Sequence, residues 1–144
     1  MQEQTNPRHA LPGEKPGVIR TAGLILLGAF FLFAGANHFL QPGIYLQMMP
    51  PFLPAHLALI YISGIFEILG GIGIFLPRTR KAAGWGLIAL LITVFPANLY
   101  MLTEGIYLEG MPQKEWLLWI RLPLQGVLIA WVWWATRLRL ARKG

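Results

Sequence analysis

The sequence predicts an all-α integral membrane protein, a four-helix bundle made of two parallel-repeat helical hairpins. Three observations carry that expectation. Four apolar runs are each long enough to cross a bilayer, which takes about 20 helical residues at about 1.5 Å per residue. Only 12% of the 144 residues are charged against 56% hydrophobic, and the mean hydropathy is +0.55, a balance foreign to a soluble domain of this length. The 12 Lys and Arg residues gather at the ends of the apolar runs, as topology signals do.

Residues 1–17 are polar, interrupted by Pro7, Pro12 and Pro16, and without apolar periodicity, so they read as a disordered cytoplasmic tail. The membrane domain is expected over 18–137. Its first span runs from Val18 to about Leu40. Arg20 followed by a short apolar core and Ala34-Gly35-Ala36 imitates a signal peptide with its cleavage site, but the polar lead is long for one and cleavage would discard the helix carrying Asn37. From Gln41 to Pro54 there is no charge and four prolines (Pro42, Pro50, Pro51, Pro54), which forbids continuous helix and predicts a surface loop with Tyr45, Met48, Met49 and Phe52 dipping inward.

The second span is expected from about Ala55 to Leu76, ending at Pro77-Arg78-Thr79-Arg80-Lys81. A third covers about Ala82 to Thr103 and contains Pro96. The fourth covers about Trp116 to Thr136, and 138–144 is a basic cytoplasmic tail. Basic residues at the N-terminus, in the second connection and at the C-terminus place both termini in the cytoplasm, with Trp116 and Trp119 at the outer boundary.

Gly43-Ile44-Tyr45-Leu46-Gln47-Met48-Met49-Pro50 matches Gly105-Ile106-Tyr107-Leu108-Glu109-Gly110-Met111-Pro112 at six of eight positions, and Ala36-Asn37 answers Ala97-Asn98. Both copies enter from the same side, so the repeat is parallel, with its interface the natural place for a site. Shared turn chemistry alone would account for Gly and Pro but not for Ile-Tyr-Leu.

Glu67 lies near the middle of the second span, where a charge costs roughly 2.5–3.5 kcal/mol and marks a functional position by default. Counting about 1.5 Å per residue from the inner basic residues puts Asn37, His38, Asn98 and Arg121 at one level, about 24–27 Å up, and Glu67 and Gln125 about 17–18 Å up, with Ser63 between. An ion pair or water-linked contact between Glu67 and Arg121 is expected. Glu67 is the candidate catalytic acid/base, with Gln125 orienting it. Asn37, His38, Ser63, Asn98, Arg121 and Gln125 are the candidate ligand-binding residues. Each has a plainer reading: the amides as interhelical packing bonds, Arg121 as a snorkelling cation, and Gly28 with Gly35 and Gly64 with Gly71 as points of close helix approach.

Other chemistries are disfavoured. No metal site is expected, since His9, His38 and His56 are far apart in sequence. The chain holds no Cys, which removes thiolate chemistry, and no Asp for a Ser/His/Asp triad. Gly70-Gly71-Ile72-Gly73 has no trailing Lys-Ser/Thr and is no phosphate loop. The charge of +6 is a topology signal and does not indicate a nucleic-acid partner.

Gly35 to His38 closing the first span, Phe39 and Pro42 after it, Ser63-Gly64-Ile65-Phe66-Glu67-Ile68-Leu69-Gly70-Gly71 in the second and Phe95-Pro96-Ala97-Asn98 in the third resemble the DoxX family of small bacterial membrane proteins. The likeness covers about Val18 to Arg137. It implies four spans, the bacterial inner membrane, and a link to membrane redox or detoxification complexes, one relative being a subunit of a thiosulfate:quinone oxidoreductase. It marks Glu67, Asn98 and Arg121 as site positions. Without Cys, thiol handling would fall to a partner protein.

The residues themselves suggest an outward-opening polar pocket for a small amphipathic ligand. A quinone head group fits, since amide and guanidinium donors hold carbonyl oxygens while an acid relays protons. No covalent cofactor is expected. Membrane lipid, a redox partner protein that supplies the electrons, and a second copy of the chain are the candidate partners. The competing expectations are a non-catalytic membrane anchor or assembly subunit, and a small proton-coupled transporter.

Overall fold

The computed structural model describes residues 16–137; apart from residues 16 and 17, both expected tails lie outside the described residues. Five helices follow in order: α1 (Val18–Leu40), α2 (Pro42–Leu46), α3 (His56–Phe75), α4 (Arg80–Glu104) and α5 (Glu115–Thr136). All but α2 are long and apolar enough to span a membrane. At about 1.5 Å per residue even the 20-residue α3 measures about 30 Å, the thickness of a hydrocarbon core.

The long helices form a closed ring in which α1 packs on α3, α3 on α4, α4 on α5, and α5 back on α1. Helices α3 and α5 therefore occupy opposite corners. One end of the bundle carries α2 and the α4–α5 connection; the other carries the start of α1, the α3–α4 turn and the end of α5.

The α1–α3 seam is the most extensive, and glycine makes it so. A Cβ on Gly35 would lie 2.7 Å from the Gly64 carbonyl oxygen, and one on Gly64 would lie 2.9 Å from the Gly35 carbonyl oxygen. One heptad further along, a Cβ on Gly71 would lie 3.1 Å from the Gly28 carbonyl oxygen. Both helices thus approach backbone to backbone at two levels, which is how helices associate where lipid removes the hydrophobic driving force between them. The expectation that these glycines permit close approach agrees with this geometry. Nearer the termini the core is a conventional apolar cluster of Leu24, Leu27, Phe31, Ile74, Leu87, Ile88, Leu91, Val132 and Ala135.

Two arginines finish that end. The Arg80 guanidinium donates to the Ile74 and Phe75 carbonyls at the end of α3, and Arg20 Nε donates to the Ala135 carbonyl at the end of α5, 2.8 Å away. Each satisfies carbonyls that have no partner within their own helix and places a cation at the negative pole of the helix dipole.

The segment expected as a loop between the first two spans contains the short helix α2. Pro42 stands at its start, where the missing N–H is no loss. The matching segment Gly105 to Pro112 takes a different path. It has no proline at the corresponding start, and Gly105 ends α4 in the left-handed region at φ 62°, its N–H bonded to the Met101 carbonyl. Similar residues here give two different connections.

Candidate functional site

A cavity of about 410 Å³ opens beneath α2, enclosed by the end of α1, the α2–α3 connection, the first half of α3 and the middle of α4. Its lining is mostly apolar, with Met48, Met49, Phe52, Leu53, Leu59 and Ile60 on the loop side and Val94, Pro96 and Ala97 on α4. The polar groups are His38, Tyr45, Ser63, Glu67, Thr93 and Asn98. Pro96 lacks an N–H for the carbonyl four residues earlier, and α4 lines the cavity around that break in its hydrogen-bond ladder.

Because Gly64 lets α1 settle onto α3, His38 lies against the backbone of α3, where a Gly64 Cβ would stand 2.7 Å from its own. Its Nδ1 is 2.9 Å from the Ile60 carbonyl oxygen. A carbonyl can only accept, so Nδ1 carries the hydrogen, and Nε2 is the bare nitrogen when the ring is neutral. That Nε2 faces Glu67 Oε2 at 3.4 Å. The approach is close but not aligned as a hydrogen bond, and the buried Oε2 has no hydrogen-bond partner. A single proton suffices for the pair, on the carboxyl or on the imidazole.

The other face of the imidazole is stacked on the Tyr45 ring, with centroids 3.9 Å apart and planes inclined by 25°. Asn37 donates to the Tyr45 hydroxyl at 3.2 Å. Burial raises the Tyr45 phenol above its ordinary value near 10; the hydrogen bond from Asn37 works against the rise and the charge of Glu67 adds to it. The phenol therefore keeps its hydrogen at neutral pH.

The structure sorts the expected site residues into two groups. His38, Ser63, Glu67 and Asn98 line the cavity together. Asn37, Gln125 and Arg121 do not. Asn37 acts on the cavity through Tyr45. Gln125 accepts from Asn98 Nδ2 at 2.9 Å and donates to the Leu91 carbonyl, so it orients Asn98 and ties α5 to α4; the expected role of orienting Glu67 is corrected.

The expected ion pair between Glu67 and Arg121 is likewise not formed. Among the described residues, the one ionisable pair of opposite sign within 4.0 Å is His38–Glu67. The reason is geometric. Helices α3 and α5 stand at opposite corners, and a long helical side chain leans toward its own N-terminus, which for Arg121 points away from the bundle centre. Its guanidinium ends beside the sulfurs of Met101 and Met111, at 3.8 and 3.4 Å.

The sequence reading placed Tyr45 in the inward-dipping loop but not among the site residues, and it did not single out the Ile60 carbonyl. As the one hydroxyl in that otherwise apolar loop, Tyr45 had a sequence signal for a polar contact. The Ile60 carbonyl carries no sequence signal, because its availability depends on where His38 crosses α3.

Replacing Gln125 by Leu should test the α4–α5 tie. The buried Leu91 carbonyl and the half-buried Asn98 would each lose a partner, at a cost of about 1–3 kcal/mol for a group left unsatisfied away from water. Thermal unfolding in detergent should show lowered stability, with the partner substitution Asn98→Leu recovering part of it. Unchanged melting of Gln125→Leu would count against the tie.

Four apolar helices long enough to span a bilayer define a small multi-pass membrane protein, with a buried acid–imidazole pair at the wall of a largely apolar cavity. The family model described as "Domain of unknown function (DUF8561)" matches residues 27–136, most of the chain and every residue of the site, and the chain belongs to that family. No curated protein and no solved structure matches it.

Proposed function

We propose that the protein binds the head group of a quinone, or a similar small amphipathic molecule, in the cavity beside Glu67, as part of a membrane redox or detoxification system. The observation that carries this reading is the His38–Glu67 pair, 3.4 Å apart, at the wall of a mostly apolar cavity. Such a cavity accepts a flat, largely apolar ring, and a few convergent polar groups fix its orientation. Asn98 has a second amide hydrogen to offer a ligand carbonyl, and Ser63 can donate or accept. Glu67 delivers or takes the proton, with His38 as its reservoir.

The resemblance to DoxX proteins supports the redox context and the bacterial inner membrane. The matched segments at Gly43–Pro50 and Gly105–Pro112 support two parallel hairpin repeats, and the placement of basic residues supports cytoplasmic termini, so that the cavity opens outward. Electrons for a bound quinone come, in this reading, from a partner protein, and the chain contributes binding and proton transfer.

Spectroscopic titration of the purified protein with a water-soluble quinone analogue tests this. Glu67→Gln keeps the shape but cannot pass a proton, and Asn98→Leu removes the amide; each should weaken binding by about tenfold, the equivalent of about 1.4 kcal/mol. Equal binding by the wild type and both variants would overturn the reading.

A further inference from the structure

Arg121 differs from the two other arginines described above. Arg20 and Arg80 both donate to main-chain carbonyls at helix ends. The Arg121 guanidinium, half-buried, has five N–H donors, and its hydrogen-bond acceptors among the described residues are two methionine sulfurs, which accept only weakly. Glu104, Glu109 and Glu115 belong to the same end of the bundle and are exposed, yet none comes within 4.0 Å of it. A guanidinium whose chain acceptors are only weak ones is free to pair with a stronger acceptor from outside the chain.

The level at which it sits says which. Arg121 lies six residues into α5, about 9 Å below the start of that helix, and its side chain leans back toward that start. Trp116 and Trp119, each 59% exposed on the same two turns, mark the boundary between hydrocarbon and headgroups. Of the two sulfurs the guanidinium touches, that of Met101 is buried in the bundle and that of Met111 belongs to an exposed residue of the connecting loop, so the group sits at the edge of the packed core. An exposed apolar strip begins at Ile120, just above Arg121, and continues below it through Leu124 and Val127, about a quarter-turn around α5 from the arginine. A guanidinium within reach of the tryptophan-marked boundary, with an apolar strip on the adjacent face of the same helix, offers a phospholipid both a cation and an apolar surface.

We propose that Arg121 holds the phosphodiester of one membrane phospholipid, its planar fork pairing two phosphate oxygens while an acyl chain lies along α5. This site is separate from the cavity and does not depend on the quinone reading. The fork geometry favours Arg over Lys, because an ammonium offers the phosphate a point charge in place of two parallel hydrogen bonds.

The test uses the full-length protein, delipidated in detergent and titrated with dioleoylphosphatidylglycerol, dioleoylglycerol or inorganic phosphate, with bound lipid counted by native mass spectrometry. Wild type should take up one phosphatidylglycerol at least tenfold more tightly than dioleoylglycerol, which has the same chains and no phosphate. Inorganic phosphate should not displace it. Arg121→Gln should lose that preference and Arg121→Lys should keep part of it. Wild-type affinity for phosphatidylglycerol no greater than for dioleoylglycerol would overturn the proposal, whether or not the variants fold. Displacement by millimolar inorganic phosphate would make this a soluble-anion site and overturn the lipid assignment. Retention of the preference by Arg121→Gln would overturn the role of the guanidinium.

Discussion

Gly64→Val should clearly destabilise the folded protein. The added Cβ would stand 2.7 Å from His38 Cβ and 2.9 Å from both the Gly35 carbonyl oxygen and the Phe39 ring, and two of those three neighbours cannot move without moving α1. Overpacking of a fitted interface costs about 1–3 kcal/mol, and here it acts on the seam with the most contact area to lose. The expected outcome is a lowered melting temperature in detergent, together with a loss of quinone-analogue binding, since the same shift carries His38 away from Ile60 and Glu67. Gly126→Val is the matched control. A Cβ there would meet nothing within 4 Å, so the same chemical change should leave melting and binding near wild type. Equal behaviour of the two variants would show that the α1–α3 glycine contact does not organise the bundle.

The second large effect is expected where two groups depend on one proton. His38→Leu removes the nearest polar neighbour of a buried carboxyl oxygen that already has no hydrogen bond, and Glu67→Met leaves the imidazole Nε2 facing hydrocarbon. Each single change should cost about 1–3 kcal/mol, because a buried polar group left without a partner keeps its full desolvation penalty. The double variant His38→Leu/Glu67→Met should recover most of the loss, since replacing a buried polar pair by apolar groups of similar size is often neutral or stabilising. Chemical denaturation of all four proteins gives the coupling directly. Strictly additive losses would mean the two groups do not interact, whatever their separation. The stability of the double variant should come with no ligand binding, which separates the structural role of the pair from its functional one.

The residues that form the cavity were only partly visible in the chain. Glu67 stood out because a carboxyl in the middle of an apolar span is costly wherever it ends up. His38, Ser63 and Asn98 could be ranked by depth, since helical rise is nearly constant, and these three line the cavity with Glu67. Depth says nothing of azimuth. Arg121 and Gln125 were at suitable heights but on a helix diagonal to α3, so one ends beside the sulfurs of Met101 and Met111 and the other beside Asn98 and the α4 backbone.

The loops show the same division. Six shared residues between Gly43–Pro50 and Gly105–Pro112 suggested similar connections, but Pro42 starts a helical turn in one and Gly105 adopts φ 62° to end a helix in the other. Residues flanking a matched segment decided its path.

The sequence by itself determined that this is a four-span membrane protein, where each span begins and ends, and that an acid is buried in one of them, because lengths, hydropathy and rise per residue are properties of each helix alone. Only the tertiary structure decided which partners that acid would meet. Partner choice depends on the order of helices around the ring and the rotation of each about its axis, and these are set by glycine contacts between backbones, where the closest approach of α1 to α3 brings His38 to Glu67 and leaves Arg121 at the far corner.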